Sequence, residues 1–495
     1  MAIFHGNSIP AGGGGGGYTI DNSCRFQEVN KSYLSQTFSS AGNRKTWTLS
    51  FWFKRSNITH GSHAYIFSAD NNGEIYIRGG NDDIGCQHIG SSSHNLGPSP
   101  RKYRDTSAWY HLILAVDTSQ AVADNRLKMY LNGERITTAE LQSGVWGGAL
   151  PTLNSENDVN NNVVHSIGSK TIVNQTSFDG YMAEHIFVDG TQYGPEAFGE
   201  FDETYGHWKP IDFKGTFGSN GWHLDFANAS ALGNDVSGNG HHFALSNISS
   251  HDQSTDSPTN NFAVMNNINN QPFATTFAEG NLEITTGGSG HEPSNMATMG
   301  MTSGKWYFEV RQSAGGSAGS LGIRGTQAGT ISPYAKDNPG KAVDGYGFYG
   351  FISQNIVNNN QYLTYGSGVS YGNGDLISVA VDLDNNKCYW AKNGVYLNSA
   401  NPSTNSNGFS ILPVEQTNLG AYFPCFGDID ANSYVFNCNF GQDGTFNGNV
   451  TAGGNSDDNG IGNFKYAPPA GFLSLCTANL PEPTVTPSEH FTPVI

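Results

Sequence analysis

The chain has 495 residues, with 42 acidic and 24 basic side chains, so its formal net charge is −18. This balance argues against a nucleic-acid-binding protein, because phosphate recognition needs clustered Lys and Arg. Glycine accounts for 63 residues, and only 13% of the residues are charged. This composition disfavours helices. A chain of this length is too long to fold around a single hydrophobic core and is expected to form two or three domains. Asn-Gly and Asp-Gly pairs separate short aromatic and β-branched runs, so we predict an all-β protein.

The N-terminal residues 1–17 end in a run of six glycines, with no basic start and no apolar run before it. This composition predicts a flexible Gly-rich arm and no classical export signal. No stretch reaches the ~20 apolar residues of a membrane span, so we expect no membrane insertion. The six cysteines lack metal-type spacing, which predicts free, mostly buried thiols.

Residues 18–201 carry the alternating pattern of half-buried strands. Trp47, Leu49, Phe51 and Phe53 alternate with less apolar residues, and further strands are expected at 64–68, 75–78, 111–116, 127–131 and 181–188. The ordered blocks WTLSFWFKRS, WYHLILAVD, LKMYLNGERI and FDGYMAEHIFVDG resemble the laminin-G-like branch of the concanavalin A-like jelly rolls.

That resemblance implies a curved antiparallel sandwich whose relatives mainly bind carbohydrate or protein. Some relatives hold calcium, and such a metal would sit near Asp70, Asn72 and Asn132. We therefore expect no cofactor, with calcium as the alternative left open.

Residues 202–270 read as a polar connector rich in Asn, Ser and Asp. Their block LDFANASALGNDVSGNGHHFALSNISSHDQSTDSPTNNFAVMN resembles a joining segment in structural proteins of tailed bacteriophages, particularly marine ones. In those proteins the segment leads into a SPRY-like module.

Residues 271–478 predict a second sandwich. The segment 374–394 reads as a β-hairpin whose apolar residues alternate, and residues 109–134 echo it with the same Ala-Val-Asp and Asn-Gly positions. GKWYFEVR, GYGFYG, GDLISVAVDLDNNKCYWAKNG, YFPCFG and FNCNFGQ resemble a SPRY domain in order and spacing. This resemblance implies a concanavalin A-like sandwich that binds through loops at one edge without enzymatic chemistry. Residues 479–495 predict an extended Pro-rich tail.

Several short motifs suggest chemistry that their context does not support. The Gly345-x-Gly347-x-x-Gly350 string lacks the strand-to-helix setting of a dinucleotide site. Two Gly-x-Ser-x-Gly strings lie in turns of an all-β chain rather than at a nucleophile elbow. No Glu-x-Asp-x-Glu or Glu-x-Asp-x-x-Glu string, the single-strand arrangement of concanavalin-like glycosidases, occurs in the sequence; a pair of carboxylates from separate strands is the alternative left open. We therefore predict that the protein is not an enzyme.

Two Asp-x-Asp-x-Asn strings resemble the start of a calcium loop. They begin at Asp382 and Asp428, but an EF-hand also needs Gly at its sixth position and Glu at its twelfth, and neither string has them. We read both as solvated turns.

Tyrosines are dense between residues 334 and 371. An exposed tyrosine beside Asn or Asp suits sugar stacking and hydrogen bonding, whereas many tyrosines in a SPRY-like domain pack in the core. We predict ligand contacts at Tyr362 and Tyr365, with Tyr346 and Tyr349 as further candidates.

Together these features predict a phage virion structural protein: a tail fibre, appendage or surface adhesin that binds host-surface glycan or protein without catalysis. The alternatives are a head-decoration protein with no receptor role and a polysaccharide depolymerase. The expected partners are other virion proteins and copies of the chain itself, with assembly in the host cytoplasm. No nucleic-acid partner is expected.

Overall fold

The computed structural model describes residues 17–59, 61, 63–70, 72–89, 95–96, 101–142, 149–170, 177–268, 275–287, 292–328, 337–350, 355–366, 368–430 and 432–481. These residues form two compact units that divide between Asn261 and Phe262. Both units are built from antiparallel sheets, which confirms the predicted all-β class. The predicted arm, apart from Gly17, and residues 482–495 of the predicted tail lie outside the described residues.

The first unit, residues 17–261, contains seventeen strands in its described part. They are β1 (Ser23–Phe26), β2 (Tyr33–Thr37), β3 (Thr46–Arg55), β4 (His63–Ala69), β5 (Asn72–Arg78), β6 (Ile84–Gln87), β7 (Asn95–Leu96), β8 (Trp109–Asp117), β9 (Leu127–Leu131), β10 (Glu134–Ile136), β11 (Val164–Ile167), β12 (Gly180–Asp189), β13 (Gly199–Phe201), β14 (Trp208–Pro210), β15 (Trp222–Leu224), β16 (Ala244–Ser246) and β17 (Gln253–Ser254). The helices are α1 (Thr138–Gln142) and the 3-10 turns Ala123–Asn125, Pro195–Ala197 and Ser250–Asp252.

The first unit consists of two large sheets and the small two-stranded sheet β13-β14. One large sheet has the order β10-β9-β8-β3-β12-β1-β17 with β15 beside β12, and the other large sheet has the order β16-β2-β11-β4-β5-β6-β7. Trp47, Leu49, Phe51 and Phe53 all point into one core between the sheets, as their alternation predicts. The outer face of β3 is also covered, because Trp52 is buried in a separate cluster with Trp109 and Trp208.

The segment predicted as a connector contributes to the first sandwich. Its strands β15, β16 and β17 extend the two sheets by pairing with β12, β2 and β1. Lys54 Nζ donates to Asp256 Oδ2 at 2.7 Å and to Asn261 Oδ1 at 2.7 Å, and Trp109 Nε1 donates to Asp256 Oδ1 at 3.0 Å. Residues 256–261 of this segment are therefore fixed to the first unit by a buried ion pair and hydrogen bonds.

The second unit, residues 262–481, holds fifteen strands in its described part. They are β18 (Thr276–Ala278), β19 (Glu283–Thr285), β20 (Ser294–Met296), β21 (Lys305–Ala314), β22 (Gly319–Arg324), β23 (Gly345–Tyr349), β24 (Ile356–Asn358), β25 (Gln361–Leu363), β26 (Leu376–Asp382), β27 (Lys387–Lys392), β28 (Val395–Tyr396), β29 (Phe409–Ser410), β30 (Phe423–Asp428), β31 (Val435–Asn439) and β32 (Leu473–Ser474). Its helices are the 3-10 turns Glu279–Asn281, Pro339–Lys341, Leu397–Ser399, Pro402–Thr404, Val414–Gln416 and Thr477–Asn479.

The second unit is again a two-sheet sandwich. A nine-stranded sheet has the order β18-β19-β31-β21-β26-β27-β28 with β29 and β32 attached, and a six-stranded sheet has the order β20-β30-β22-β23-β24-β25. The core between them includes Phe308, Val379, Trp390 and Phe426. Gly345 and Gly347 lie within β23, and the next element in the described part of the chain is the strand β24 rather than a helix.

The predicted hairpin and its echo have the same turn. Asn132-Gly133 joins β9 to β10 with φ of 47° and 82°, and Asn393-Gly394 joins β27 to β28 with φ of 49° and 82°. Both central residues have positive φ, which Asn-Gly accepts at little cost. In each turn the Asn backbone amide donates to the carbonyl of one residue on the first strand of the hairpin, and the Asn side-chain oxygen accepts from the amide of that same residue. The residue is His111 of β8 in the first unit and Leu376 of β26 in the second. The same Asn-Gly turn therefore connects the last two strands at the corresponding edge of a sheet in each sandwich.

None of the helices in the described part of the chain has the length and apolar character needed to cross a bilayer. All six cysteines are buried free thiols, as predicted. Burial raises the pKa of Cys86 and of Cys425 to about 12, so both thiols stay protonated and unreactive near neutral pH.

Candidate functional site

An open cleft of about 490 Å³ lies in the second unit beside the β27–β28 turn. Gly366 and Val369 form one side, and Lys392 with residues 395–399 forms the other. Gly366 allows the two sides to meet, because its φ is +69° and a Cβ there would lie 2.7 Å from the backbone nitrogen of Asn398. The volume falls in the range of small-ligand and peptide side-chain pockets.

The lining of the cleft mixes apolar and polar groups. Val369, Val395 and Leu397 supply apolar surface, whereas Asn398 and Ser399 supply hydrogen-bonding groups. The ammonium group of Lys392 is held in place, since Nζ donates to Ser370 O at 2.7 Å and lies 3.0 Å from Asp375 Oδ2. The positive charge is thus already compensated, and the cleft is not built to attract an anion.

The second unit has exposed large apolar side chains, and one of them, Val395, lines the cleft. Val395 is 71% exposed in β28, and Tyr362 is 45% exposed in the edge strand β25. The ring of Tyr362 lies against Tyr349 with centroids 6.1 Å apart, which holds it in place. An exposed, held aromatic side chain close in sequence to an open cleft is typical of binding surfaces.

The other three predicted tyrosines lie in the interior of the second unit. Tyr365 donates its hydroxyl to Asn407 O at 2.9 Å, and Tyr346 accepts from Leu412 N at 2.9 Å. Tyr349 is fully buried, and burial raises the pKa of its phenol well above the usual value. In this conformation only Tyr362 of the four presents its ring to solvent, so the ligand-binding prediction now concerns that residue.

The predicted metal-site residues lie at turns of two different sheets. Asp70 and Asn72 flank the β4–β5 turn, where Asn72 Nδ2 donates to Asp158 Oδ2 at 2.5 Å. Asn132 lies in the β9–β10 turn, and its side-chain oxygen accepts from His111 N at 2.8 Å. Two of the three side chains therefore have structural partners, and calcium binding at these positions stays a prediction.

A buried serine–histidine pair in the first unit was not predicted from the sequence, because its two residues are far apart in the chain. Ser50 Oγ lies 2.8 Å from His111 Nε2, the spacing of a nucleophile and its base. However, Trp208 Nε1 donates to His111 Nδ1 at 2.9 Å, so Nδ1 is the acceptor and Nε2 carries the proton. Burial also lowers the pKa of His111 to about 3. This pair cannot remove a proton from the serine.

A second pair, Glu184 and His223, was also missed. Glu184 has a φ of +47° at a bulge in β12, and its Oε2 lies 2.8 Å from His223 Nε2 in β15. Burial opposes the charged imidazole, but the hydrogen bond and charge of Glu184 outweigh it and raise the pKa of His223. The pair fastens β15 to β12 and is nearly enclosed, with side chains 10% and 15% exposed.

Comparison with known proteins supports the fold assignment. Residues 30–196 match the family model described as the concanavalin A-like lectin/glucanases superfamily. Among solved structures, the chain is similar to the SPRY domain of human HERC1 (16% identity, 35% of this chain and 96% of that one, TM-score 0.26) and to a heptameric SAP-like pentraxin from Limulus polyphemus (17% identity, 35% and 78%, TM-score 0.26). The family match over residues 30–196 and the sheet sandwiches of both units confirm the predicted all-β, concanavalin A-like fold class.

Curated relatives are animal proteins. The chain is 31% identical over 135 residues to a Ran-binding proteins 9/10 homolog of Drosophila melanogaster, which covers 25% of this chain and 13% of that protein. It is 30% identical over 175 residues to Ran-binding protein 9 of Danio rerio and of Homo sapiens, covering 33% of this chain and 25% and 21% of theirs. The chain thus spans a quarter or less of these relatives.

These relatives contradict the predicted function and location. The chain matches Ran-binding proteins of animals, so the assignment to a bacteriophage virion, as fibre, decoration or depolymerase, is wrong, and the virion location with it. The prediction relied on the resemblance of residues 224–266, rich in Asn, Ser and Asp, to a joining segment of phage structural proteins. In the structure many of these polar residues stabilise turns. Asp235, for example, accepts hydrogen bonds from the backbone amides of His223, Ser237 and His241. Turn chemistry of this kind carries no information about origin.

Proposed function

We propose that this chain is a binding protein without catalytic activity, and that its second unit holds an extended polypeptide segment in the cleft beside Val395. The observation that carries the proposal is an open cleft of about 490 Å³ with apolar and hydrogen-bonding walls, bordered by an exposed valine. An extended peptide offers apolar side chains and backbone polar groups in alternation, so it suits a lining of this mixed kind.

Two further observations favour a protein ligand. The curated relatives carry a protein ligand, Ran, in their names. The cationic group at the cleft is already paired with Asp375, which disfavours nucleotides and other anions. Concanavalin A-like and SPRY-like folds are typically those of binding domains, and this supports the assignment as a binding protein.

The test is a peptide library selected on the full chain by ribosome display, with purified Ran as one defined protein probe. Val395→Asp should weaken binding of the selected peptides by about tenfold or more, roughly 1.4 kcal/mol, because it places a charge against the apolar wall. Val29→Asp is the matched control, since Val29 is 77% exposed in the first unit and lies outside the cleft. Peptides that bind the Val395→Asp chain as well as wild type would contradict the proposal.

A second candidate function concerns the first unit, which matches a lectin-containing superfamily. Phe201 is 51% exposed in β13, and its ring meets Trp208 edge to face at 5.1 Å. Asp202 beside it accepts from Lys209 and from two backbone amides. A held aromatic face next to a carboxylate suits stacking and hydrogen bonding of a sugar. We propose this surface as a glycan contact.

A glycan array tests the second candidate. Phe201→Ala should abolish glycan signals, whereas Leu153→Ala, at an equally exposed apolar residue of the same unit (51%), should leave them unchanged. Equal signals from both variants would place any glycan site elsewhere.

A further inference from the structure

Two strands of the second unit end in the same sequence motif. The last residue of β26 is Asp382, and the last residue of β30 is Asp428. Each aspartate begins an Asp-x-Asp-x-Asn string, and each is 0% exposed. A carboxylate taken out of water is stable only if hydrogen bonds or an opposite charge compensate it. The two sites can therefore be compared directly.

The Asp382 carboxylate is fully compensated. Its Oδ1 accepts from Asn385 N at 3.0 Å, and its Oδ2 accepts from Asn385 Nδ2 at 2.9 Å. Lys305 Nζ lies 3.2 Å from Oδ2 and supplies the opposite charge. This first motif is a closed structural turn.

The Asp428 carboxylate lacks such compensation. Among the described residues no donor meets hydrogen-bond geometry with either of its oxygens. Its neighbours include the Thr286 hydroxyl and two further carboxylates, those of Asp430 and Glu292, which carry the same charge. In the described part of the chain no Lys or Arg forms an ion pair with Asp428.

The groups around Asp428 are held in place by their own hydrogen bonds. Asp430 Oδ2 accepts from Tyr434 Oη at 2.9 Å and from Asn432 Nδ2 at 2.9 Å. The Thr286 hydroxyl oxygen accepts from Tyr434 N at 3.0 Å. Asp430 Oδ1, which accepts from Asn432 N at 2.9 Å, and the Thr286 hydroxyl oxygen each keep a lone pair that a cation could use. The result is a set of hard oxygen ligands around one buried, unpaired carboxylate.

We propose that Asp428, Asp430 and the Thr286 hydroxyl form part of a calcium site in the second unit. The described residues contain no group of three His, Cys, Asp or Glu side chains that could hold a metal, but calcium does not need one. It takes six to eight oxygens and accepts carbonyls, hydroxyls and water beside one or two carboxylates. With oxygen ligands alone the site disfavours zinc, and a fully buried carboxylate disfavours magnesium, which keeps most of its waters.

The test uses the full chain with two probes, Tb³⁺ and Ca²⁺. Tyr434 contacts Asp430, so bound Tb³⁺ should give tyrosine-sensitised emission that Ca²⁺ displaces. Ca²⁺ should also raise the melting temperature of the second unit, because a ligand that binds only the folded state stabilises it. Asp428→Asn should weaken Ca²⁺ binding at least tenfold and remove the shift in melting temperature.

Two control variants distinguish Ca²⁺ binding at this site from non-specific binding of cations to an acidic protein. Asp384→Asn changes the position in the first motif that corresponds to Asp430, and it should leave both signals unchanged. Tyr434→Phe should reduce the sensitised emission but keep the Ca²⁺-dependent melting shift. A wild-type chain with no Ca²⁺ response would overturn the proposal. Equal responses from wild type and Asp428→Asn would do so as well. An Asp428→Asn chain that is more stable than wild type at neutral pH, with no Ca²⁺ effect in either, would show that Asp428 simply holds a proton.

Discussion

Glu309 in β21 should make the second unit less stable as the pH rises from about 4.5 to about 7. Its carboxylate is fully buried and accepts from the backbone amides of Lys465 at 2.9 Å and Tyr466 at 2.8 Å. Tyr307 Oη donates to it at 2.9 Å. Glu309 thereby fastens residues 465–466 across the outer face of β21.

The size of the effect follows from the pKa of this carboxyl group. Burial raises the pKa of Glu309 from 4.5 to about 7, against the opposing hydrogen bonds of the Tyr466 and Lys465 amides. Between these two values the unfolded chain has lost the proton while the folded chain still holds it. Stability therefore falls with pH over this window, by about 3 kcal/mol at 1.36 kcal/mol per pKa unit. Above pH 7 both states are ionised and the decline ends.

Glu309→Gln removes the ionisation and keeps the shape of the side chain. The measurement is urea denaturation between pH 4 and pH 9, read by pulsed hydrogen exchange and mass spectrometry on peptides of the second unit, so that the first unit does not contribute. The stability of wild type minus that of the variant should fall by about 3 kcal/mol across the window. A difference that stays constant with pH would refute the raised pKa, whatever the fixed offset between the two proteins.

Two further predictions concern the first unit. Asp256→Ala removes the buried carboxylate that compensates the Lys54 ammonium, so it should cost about 3–5 kcal/mol in denaturation experiments. Asp212→Ala, which breaks an exposed pair with Lys214, should cost less than about 1 kcal/mol, and equal costs would contradict the reasoning. The raised pKa of His223 stabilises the first unit fully below pH 6.5, and this contribution is lost as the pH rises through the folded value. Glu184→Gln should abolish that loss, and a pH profile unchanged by the substitution would show that Glu184 is not its cause.

Local sequence patterns predicted the strands and turns well. The alternating run from Trp47 to Phe53 lies within β3, and the predicted strand 181–188 lies within β12. Both Asn-Gly turns form as expected, because the positive φ they need depends on two adjacent residues alone. These features require no information from distant parts of the chain.

The position of the tyrosines could not be predicted in the same way. If only one face of the sheet were covered, alternate residues of β23 would face solvent. In the structure both faces of this strand are buried. Tyr346 packs in the core, and Tyr349 is buried on the other face beneath Tyr362. The cover over this face also includes Pro339 and Gly340 of a 3-10 turn, which lie against Gly347. These residues lie outside β23, in a turn without strand periodicity, so no alternation within β23 reveals them. The same reason explains why residues 202–261 look like a linker although they complete the first sandwich.

The two Asp-x-Asp-x-Asn motifs show the limit most clearly. Their local sequences are alike, and each begins at the end of a strand, so the same turn was predicted for both. What separates them is the neighbouring residue: Lys305, from a strand far away in the sequence, reaches Asp382, whereas Asp428 is surrounded by Thr286, Asp430 and Glu292. Charge compensation of a buried carboxylate is decided by such long-range neighbours. A motif that reads as a solvated turn can therefore become either a closed ion pair or an open set of oxygen ligands, and only the fold distinguishes the two.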